Sequence, residues 1–161
     1  MESKTGLKGN VEYCLGMTHK KDKMNLTTWD VRYSIGIDEL DDHHRYLVLL
    51  INIIYESFVN EVQDCDLAKI FNELTRYTEY HFCTEETLMR DCNYPDYDSH
   101  KALHDQFAKR LQDIQAGFLC NKSLVSFELL TFLNSWLLTH VTKTDIQFGK
   151  FIAAEQKKFA A

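Results

Sequence analysis

Two pairs of metal-ligating side chains stand at the spacing of one helical turn in this sequence. His81 is followed four residues later by Glu85, and His100 is followed four residues later by His104. On a helix, side chains at positions i and i+4 lie on one face with Cβ atoms about 5–6 Å apart. Each pair therefore has a chelating geometry, and together they offer three imidazoles and one carboxylate.

Three further residues extend this set. His44 and His140 each lie in an apolar stripe where a plain core would carry leucine, and Asp145 follows His140 by five residues. A regular α-helix turns about 100° per residue, so it does not aim both of these side chains at one point. Either the reach of the carboxylate makes up the difference, or the helix widens locally, as π-bulges do at functional sites.

Four amphipathic helical patterns position these residues. Apolar side chains recur at steps of three and four, which is the helical period. The predicted helices run from about Asp38 to Asn60, Asp66 to Arg90, Ser99 to Phe118 and Ser123 to Phe151. Short polar loops join them, so the sequence predicts an all-α fold, an antiparallel up-down-up-down four-helix bundle. Each helix contributes at least one imidazole to the interior.

The ligand count bears on the metal. Five histidines and two carboxylates exceed the four ligands of a tetrahedral zinc site. They suit two octahedral ions that share bridging carboxylates. Imidazole with carboxylate is compatible with iron, manganese, zinc or copper, and spacing does not choose among them.

Composition excludes several other classes of protein. The chain has 161 residues and a net charge of −6, which argues against a nucleic-acid binder with a broad basic face. Its longest apolar run, Leu47 to Ile54, is interrupted by Asn52 and falls short of the roughly 20 residues that span a bilayer. The first 25 residues have no apolar core of a signal peptide. The five cysteines are odd in number and form no CxxC pair, which favours reduced thiols and a cytoplasmic location.

Domain organisation is predicted from the change in pattern near residue 28. Residues 1–28 lack apolar periodicity and are predicted to form a mobile N-terminal extension, whereas residues 29–155 are predicted to form the bundle. Up to residue 25 the segment carries five lysines against three acidic residues. A partner protein that docks on this basic tail is an alternative to a simple mobile tail. Met24 is an alternative start of the chain.

The ordered motifs resemble those of the hemerythrin family, specifically its single-domain bacterial type. The signature is HxxxE, then HxxxH, then HxxxxD on separate helices, with a histidine before them, and it covers about residues 29 to 152. The segments that carry it are Trp29-Asp30, Ile35-Gly36-Ile37, Leu40 to Leu47, His81 to Glu86 with Met89, His100 to His104, and Trp136 to His140 with Asp145.

This resemblance implies a non-heme diiron centre with an oxo or hydroxo bridge, which reversibly binds O₂ as a peroxo species for storage, delivery or sensing. Small anions such as azide would bind at the position on the iron that is otherwise taken by O₂. The implied ligands are His100, His104 and His140 on one iron, His44 and His81 on the other, and Glu85 and Asp145 as bridges.

One position departs from the family pattern, because His43 stands where the family usually has glutamine. Both the family register and the helical stripe select His44 rather than His43 as the ligand.

Leu137, three residues before His140, is expected to line the O₂ pocket, and Phe82 is expected near it. A histidine-rich centre is expected to bind O₂ reversibly rather than to oxidise a substrate. We therefore expect that the protein is not an enzyme. A diiron peroxidase, an oxidase or a nitric-oxide-linked detoxification enzyme is the alternative.

Overall fold

A computed structural model describes residues 25–59, 64–117 and 122–159. A 3₁₀ turn, Val31–Tyr33, leads into helix α1, Asp38–Val59, which is followed by α2, Asp64–Asp91, and α3, Tyr97–Gly117. The last arm consists of α4, Lys122–Trp136, a π-helical segment, Leu137–Asp145, and α5, Ile146–Phe159. The described residues are helical apart from short connections, and the predicted four-helix bundle is confirmed.

The last arm differs in detail from the predicted helix. It continues to Phe159 rather than ending near Phe151, and nine of its residues are π-helical. The backbone at Trp136 and at Ile146 is right-handed helical on either side of the π segment, so the arm continues without a break. This π segment contains both His140 and Asp145. Of the two explanations that the sequence left open, local widening of the helix is the one that the structure adopts.

The turn between α2 and α3 is closed by a Schellman motif. Asn93 has a left-handed backbone, with φ of 54°. The amide of Tyr94 donates to the carbonyl of Met89, and that of Asn93 donates to the carbonyl of Arg90. These are the two bonds of the motif, and asparagine tolerates the left-handed position that it requires. Because the turn is short, α3 returns antiparallel to α2, and His100 and His104 face His81 and Glu85 across the bundle.

The segment before α1 is fixed to the bundle. Thr27 exchanges two backbone hydrogen bonds with the side-chain amide of Asn52, at 3.1 and 2.8 Å. Further on, Ile35 crosses α5 at Gly149, where a Cβ atom would lie 2.2 Å from the Ile35 carbonyl oxygen. The close crossing therefore needs glycine at this position. The predicted extension was residues 1–28. Residues 25–28 are described and include Thr27, whereas residues 1–24 lie outside the described residues.

The core consists of two apolar clusters with a polar layer between them. The smaller cluster contains Leu40, Met89 and Phe148, and the larger one contains Leu47 and Leu137. Along each of the four helical segments of the bundle, the buried histidines and carboxylates lie between or beside residues of these two clusters. The two clusters exclude water from both sides of the layer, so its polar atoms depend on one another or on a bound ion.

Candidate metal centre

Three imidazoles converge from α3 and the π segment. The Nε2 atom of His140 lies 3.1 Å from that of His100 and 3.2 Å from that of His104. All three residues are at most 3% exposed. Neutral imidazoles whose Nε2 atoms meet at this distance cannot all satisfy one another, because each ring has only one acceptor nitrogen and one donor nitrogen. The convergence of three imidazole Nε2 atoms on one point is typical of a metal site.

Asp145 joins this three-histidine group because of the π segment. Its Oδ1 atom lies 2.9 Å from Nε2 of His140 and 3.2 Å from Nε2 of His100. A π-helix pairs residue i with residue i+5, so two side chains five residues apart lie on one face. In an α-helix the same two side chains would point in different directions. The widened turn is thus what places this carboxylate in the centre.

Glu85 supplies the second carboxylate from α2. Its Oε2 atom lies 3.3 Å from Nε2 of His104, 3.6 Å from Nε2 of His100 and 3.9 Å from Nε2 of His81. Glu85 therefore lies between the three-histidine group and the imidazole on its own helix. The i,i+4 spacing read from the sequence has the expected consequence that His81 and Glu85 point the same way.

A second ligand group lies beside the first. His44, His81 and Asp145 each offer a buried ligand atom, and these atoms all lie within 4.8 Å of one another. Oδ2 of Asp145 is 3.3 Å from Nε2 of His44, whereas Oδ1 faces the three-histidine group. One carboxylate thus presents one oxygen to each group, which is the arrangement of a bridging ligand. All seven residues predicted from the sequence are brought together.

The polar atoms of the centre lack ordinary partners. The ligand atoms without a well-directed hydrogen bond are Nε2 of His44, Nε2 of His81, both carboxylate oxygens of Glu85 and both of Asp145. A buried polar group left unsatisfied costs about 1–3 kcal/mol, and more when it is charged. Two adjacent metal ions would give each of these atoms a bond. The residues present therefore fit a dinuclear metal site.

The protonation states suit metal binding. Burial would raise the pKa of Glu85, and so would the charge of Asp145, but the close contacts with the imidazoles of His100 and His104 outweigh both and hold it at about 2. The pKa of Asp145 also lies well below its usual range, because the surrounding histidines outweigh its burial. Burial lowers the pKa of His81 to about 3, so its imidazole is neutral. Carboxylates and neutral imidazoles are the forms that bind metal.

Two of the histidines, His44 and His100, have a raised pKa, because contacts with the buried carboxylates outweigh the burial that would lower it. Burial lowers the pKa of His100, but its bonds to Asp145 and Glu85 outweigh that effect and raise it to about 9. The proton on His100 balances part of the charge of the two buried carboxylates. A cation bound at this point would do the same, and metal binding at such sites releases protons.

Three supporting residues were not identified from the sequence as such. Nδ1 of His44 bonds to the carbonyl oxygen of Tyr33 at 3.0 Å, and Nδ1 of His104 bonds to the Glu86 carboxylate at 3.1 Å. Nδ1 of His81 lies 3.4 Å from Nδ1 of His43. Partners of this kind orient a ligand imidazole and fix which nitrogen is free to bind. An acidic residue directly after Glu85 was the signal that could have indicated Glu86.

His43 and His44 have different surroundings. The His44 ring is fully buried with Nε2 directed at Asp145, whereas the His43 ring packs against Tyr80 with ring centroids 4.7 Å apart. Neither of the two metal-ligating groups found among the described residues includes His43. The structure thus places His44 in the centre and His43 behind His81.

The two expected pocket residues, Leu137 and Phe82, belong to the same apolar cluster. Leu137 is fully buried at the start of the π segment and belongs to the larger apolar cluster. Phe82 stacks on His104, with ring centroids 3.8 Å apart and planes within 3°. Phe82 therefore covers the three-histidine group, while its contact with His81 is looser, at 5.5 Å between centroids.

A four-helix bundle with five imidazoles and two carboxylates in its interior defines a histidine-rich metal-binding protein. The family model described as the hemerythrin HHE cation binding domain matches residues 35–151. The chain belongs to the hemerythrin family.

Relatives and solved structures agree with this assignment. A bacteriohemerythrin of Stenotrophomonas maltophilia is 31% identical over 137 residues, which cover 85% of this chain and 88% of the relative. A myohemerythrin of Theromyzon tessulatum is 28% identical over 120 residues, or 74% of this chain and 88% of the relative. The crystal structure of a hemerythrin variant with leucine replaced by alanine has a TM-score of 0.69 at 25% identity, covering 79% of this chain and 97% of that one.

Membership of this family defines the type of function. Hemerythrins are non-heme diiron proteins that bind oxygen and are not enzymes, and this chain is a protein of that type. The alternative of a peroxidase, an oxidase or a nitric-oxide-linked enzyme is not favoured. None of the helices in the described part of the chain is long and apolar enough to cross a membrane.

Proposed function

We propose that the chain binds O₂ reversibly, for storage, delivery or sensing, at a centre in which the seven predicted residues hold two irons. In this assignment the ligands are His100, His104 and His140 for one iron, His44 and His81 for the other, and Glu85 and Asp145 as bridges. The observation that carries it is the position of Asp145, whose Oδ1 faces the three-histidine group and whose Oδ2 faces His44.

The two sides of the centre have different roles in this proposal. The three-histidine side offers three protein nitrogens and the other side offers two, from His44 and His81. The side with fewer protein ligands keeps room for an exogenous ligand. When bound, the iron pair would supply the electrons that reversible O₂ binding requires.

The residues around the centre hold, orient and shield it. The Tyr33 carbonyl accepts from Nδ1 of His44, and Glu86 accepts from Nδ1 of His104, so that each ring presents Nε2 to the metal. Leu137 and the rest of the larger apolar cluster keep water out. A dry, apolar lining opposes the entry of the water and protons that would promote irreversible oxidation of the iron by O₂.

Small anions such as azide would occupy the same open position, since they present an electron-pair donor of similar size. We place the protein in the cytoplasm, which the odd number of cysteines supports. Cys83 and Cys92 are both free thiols. Contact of the basic segment before residue 25 with a partner protein stays a prediction from the sequence, because that segment lies outside the described residues.

The test combines metal analysis with absorption spectroscopy. Protein freshly prepared with iron should contain two irons per chain, and the reduced, colourless form should gain a visible absorption band in air that disappears when O₂ is removed. One metal per chain, or zinc in protein grown with ample iron, would contradict the diiron assignment. Irreversible oxidation without a transient oxygenated band would contradict reversible binding.

A further inference from the structure

The hydroxyl of Tyr77 is a buried polar group that metal ligation leaves unsatisfied. Tyr77 is 6% exposed, and its Oη atom has no hydrogen-bond partner within the described residues. Of the other atoms that share this condition, the carboxylate oxygens and Nε2 atoms would be satisfied by metal ions, and Nδ1 of His100 and of His140 belong to the three-histidine group. A neutral phenol that is not a ligand needs a hydrogen-bond acceptor instead.

Tyr77 lies next to the side of the centre that has two histidines. It precedes His81 by one turn of α2, and the two rings are stacked, with centroids 5.3 Å apart and planes within 16°. Tyr77 and Leu137 belong to the same apolar cluster. The phenol is therefore a polar group beside His81 within an otherwise apolar region.

The hydroxyl is available as a hydrogen-bond donor. A phenol is protonated at neutral pH and can donate one hydrogen bond. The Tyr77 ring is stacked on His81 and enclosed by the larger apolar cluster, so its hydroxyl is shielded from water. A buried hydroxyl of this kind gains from an acceptor that carries negative charge.

We propose that Tyr77 donates a hydrogen bond to the exogenous ligand at the His44/His81 side of the centre, and so favours small ligands whose free end is an electron-rich acceptor. This inference rests on the proposed function, because it needs the open position on that side. Small-ligand sites are typically apolar with a few placed polar groups that fix orientation. Tyr77 is such a group, and Leu137 contributes to the apolar part.

Azide is the probe, because its terminal nitrogen is an acceptor and its binding to the oxidised iron-loaded protein can be titrated by absorption. We expect Tyr77→Phe to keep two irons per chain and to weaken azide binding about tenfold, equivalent to about 1.4 kcal/mol. The matched control is Tyr46→Phe. Tyr46 lies 6.0 Å from Tyr77 between ring centroids, and its hydroxyl already donates to Glu73 at 2.7 Å.

The control should bind azide like the unmodified protein. Equal azide affinity of Tyr77→Phe and the unmodified protein would overturn the proposal. So would an equal loss in both variants, since that would show a general effect of changing a core tyrosine. If the unmodified protein itself holds no iron pair or binds no azide, the proposed function fails, which distinguishes the two hypotheses.

A second measurement on the unmodified protein does not depend on the variant folding. The infrared stretch of bound azide should shift when H₂O is replaced by D₂O, because the donated phenol hydrogen exchanges. The shift should be absent in Tyr77→Phe and retained in Tyr46→Phe. An azide stretch that is insensitive to D₂O in the unmodified protein would overturn the proposal, and so would a shift that persists in Tyr77→Phe.

Discussion

Asp145 Oδ1 lies 2.9 Å from His140 Nε2, although the two residues are five positions apart on one continuous helical arm. The contact exists because residues Leu137–Asp145 are π-helical. At 100° per residue, an α-helix would turn the two side chains about 140° apart, whereas i→i+5 pairing stacks them. At this five-residue spacing, the widened turn is therefore required to bring both side chains into the centre.

Changing the spacing between His140 and Asp145 should test this requirement. Inserting one alanine between Thr142 and Lys143 makes the spacing six residues, which neither helix type aligns, so iron content should fall below two per chain. Deleting the exposed Lys143 makes the spacing four, which an ordinary α-helix aligns. The deletion should keep two irons.

The control for that pair is an alanine inserted after Lys157, near the end of α5 and away from the centre. It should leave iron content unchanged by elemental analysis. Two irons per chain in the internal insertion variant would show that the π segment is not what aligns the two ligands.

Substitutions at His44 and at the adjacent His43 should distinguish a metal ligand from a residue that only supports one. Nε2 of His44 is 3.3 Å from Asp145, whereas His43 lies behind His81. We expect His44→Ala to lose reversible O₂ binding, because it removes one of two imidazoles from the side with the open position. His43→Ala should retain two irons. Iron analysis and the oxygenated absorption band measure both variants, and the reverse pattern would mean that the register of α1 is wrong by one residue.

Replacing Leu137 should shorten the lifetime of the oxygenated state. Leu137→Asn introduces a polar group, and with it water, into a fully buried apolar position. We expect the variant to hold two irons in an intact bundle but to oxidise in air at least several-fold faster than the unmodified protein, because water reaches the centre. The decay of the oxygenated band is the measurement.

Leu138→Asn is the matched control, because the neighbouring leucine is 44% exposed. Its decay rate should equal that of the unmodified protein. If Leu137→Asn also decays at the unmodified rate while holding two irons, Leu137 is ordinary core and another residue excludes water.

Removing the iron should destabilise the fold. Six carboxylate and imidazole ligand atoms of His44, His81, Glu85 and Asp145 would lose their metal bonds while staying buried. Several kcal/mol lost in a domain of this size lowers the thermal midpoint on the order of 10 °C or more. Circular dichroism of chelator-treated and iron-reloaded protein measures the difference. Equal midpoints would mean that the buried histidines and carboxylates are satisfied without metal.

Much of the fold followed from local periodicity. The stripes on the four helices, including His44 beside Leu40 and Leu47, depend only on the helical repeat, which is a property of the chain itself. The i,i+4 pairs His81–Glu85 and His100–His104 are equally local. Helix count, buried faces, candidate ligands and the family resemblance were accordingly available from the sequence alone.

Tertiary structure decided what depends on packing between helices. Sequence spacing left open whether Asp145 reaches by its side chain or by a wider helix, since a five-residue spacing is compatible with either and the helix type is a property of the folded backbone. It also gave no sign that Phe82 would stack on His104 rather than cover His81. The unpartnered hydroxyl of Tyr77 appeared only once the neighbouring helices enclosed it, because burial and hydrogen bonding are relations among segments distant along the chain.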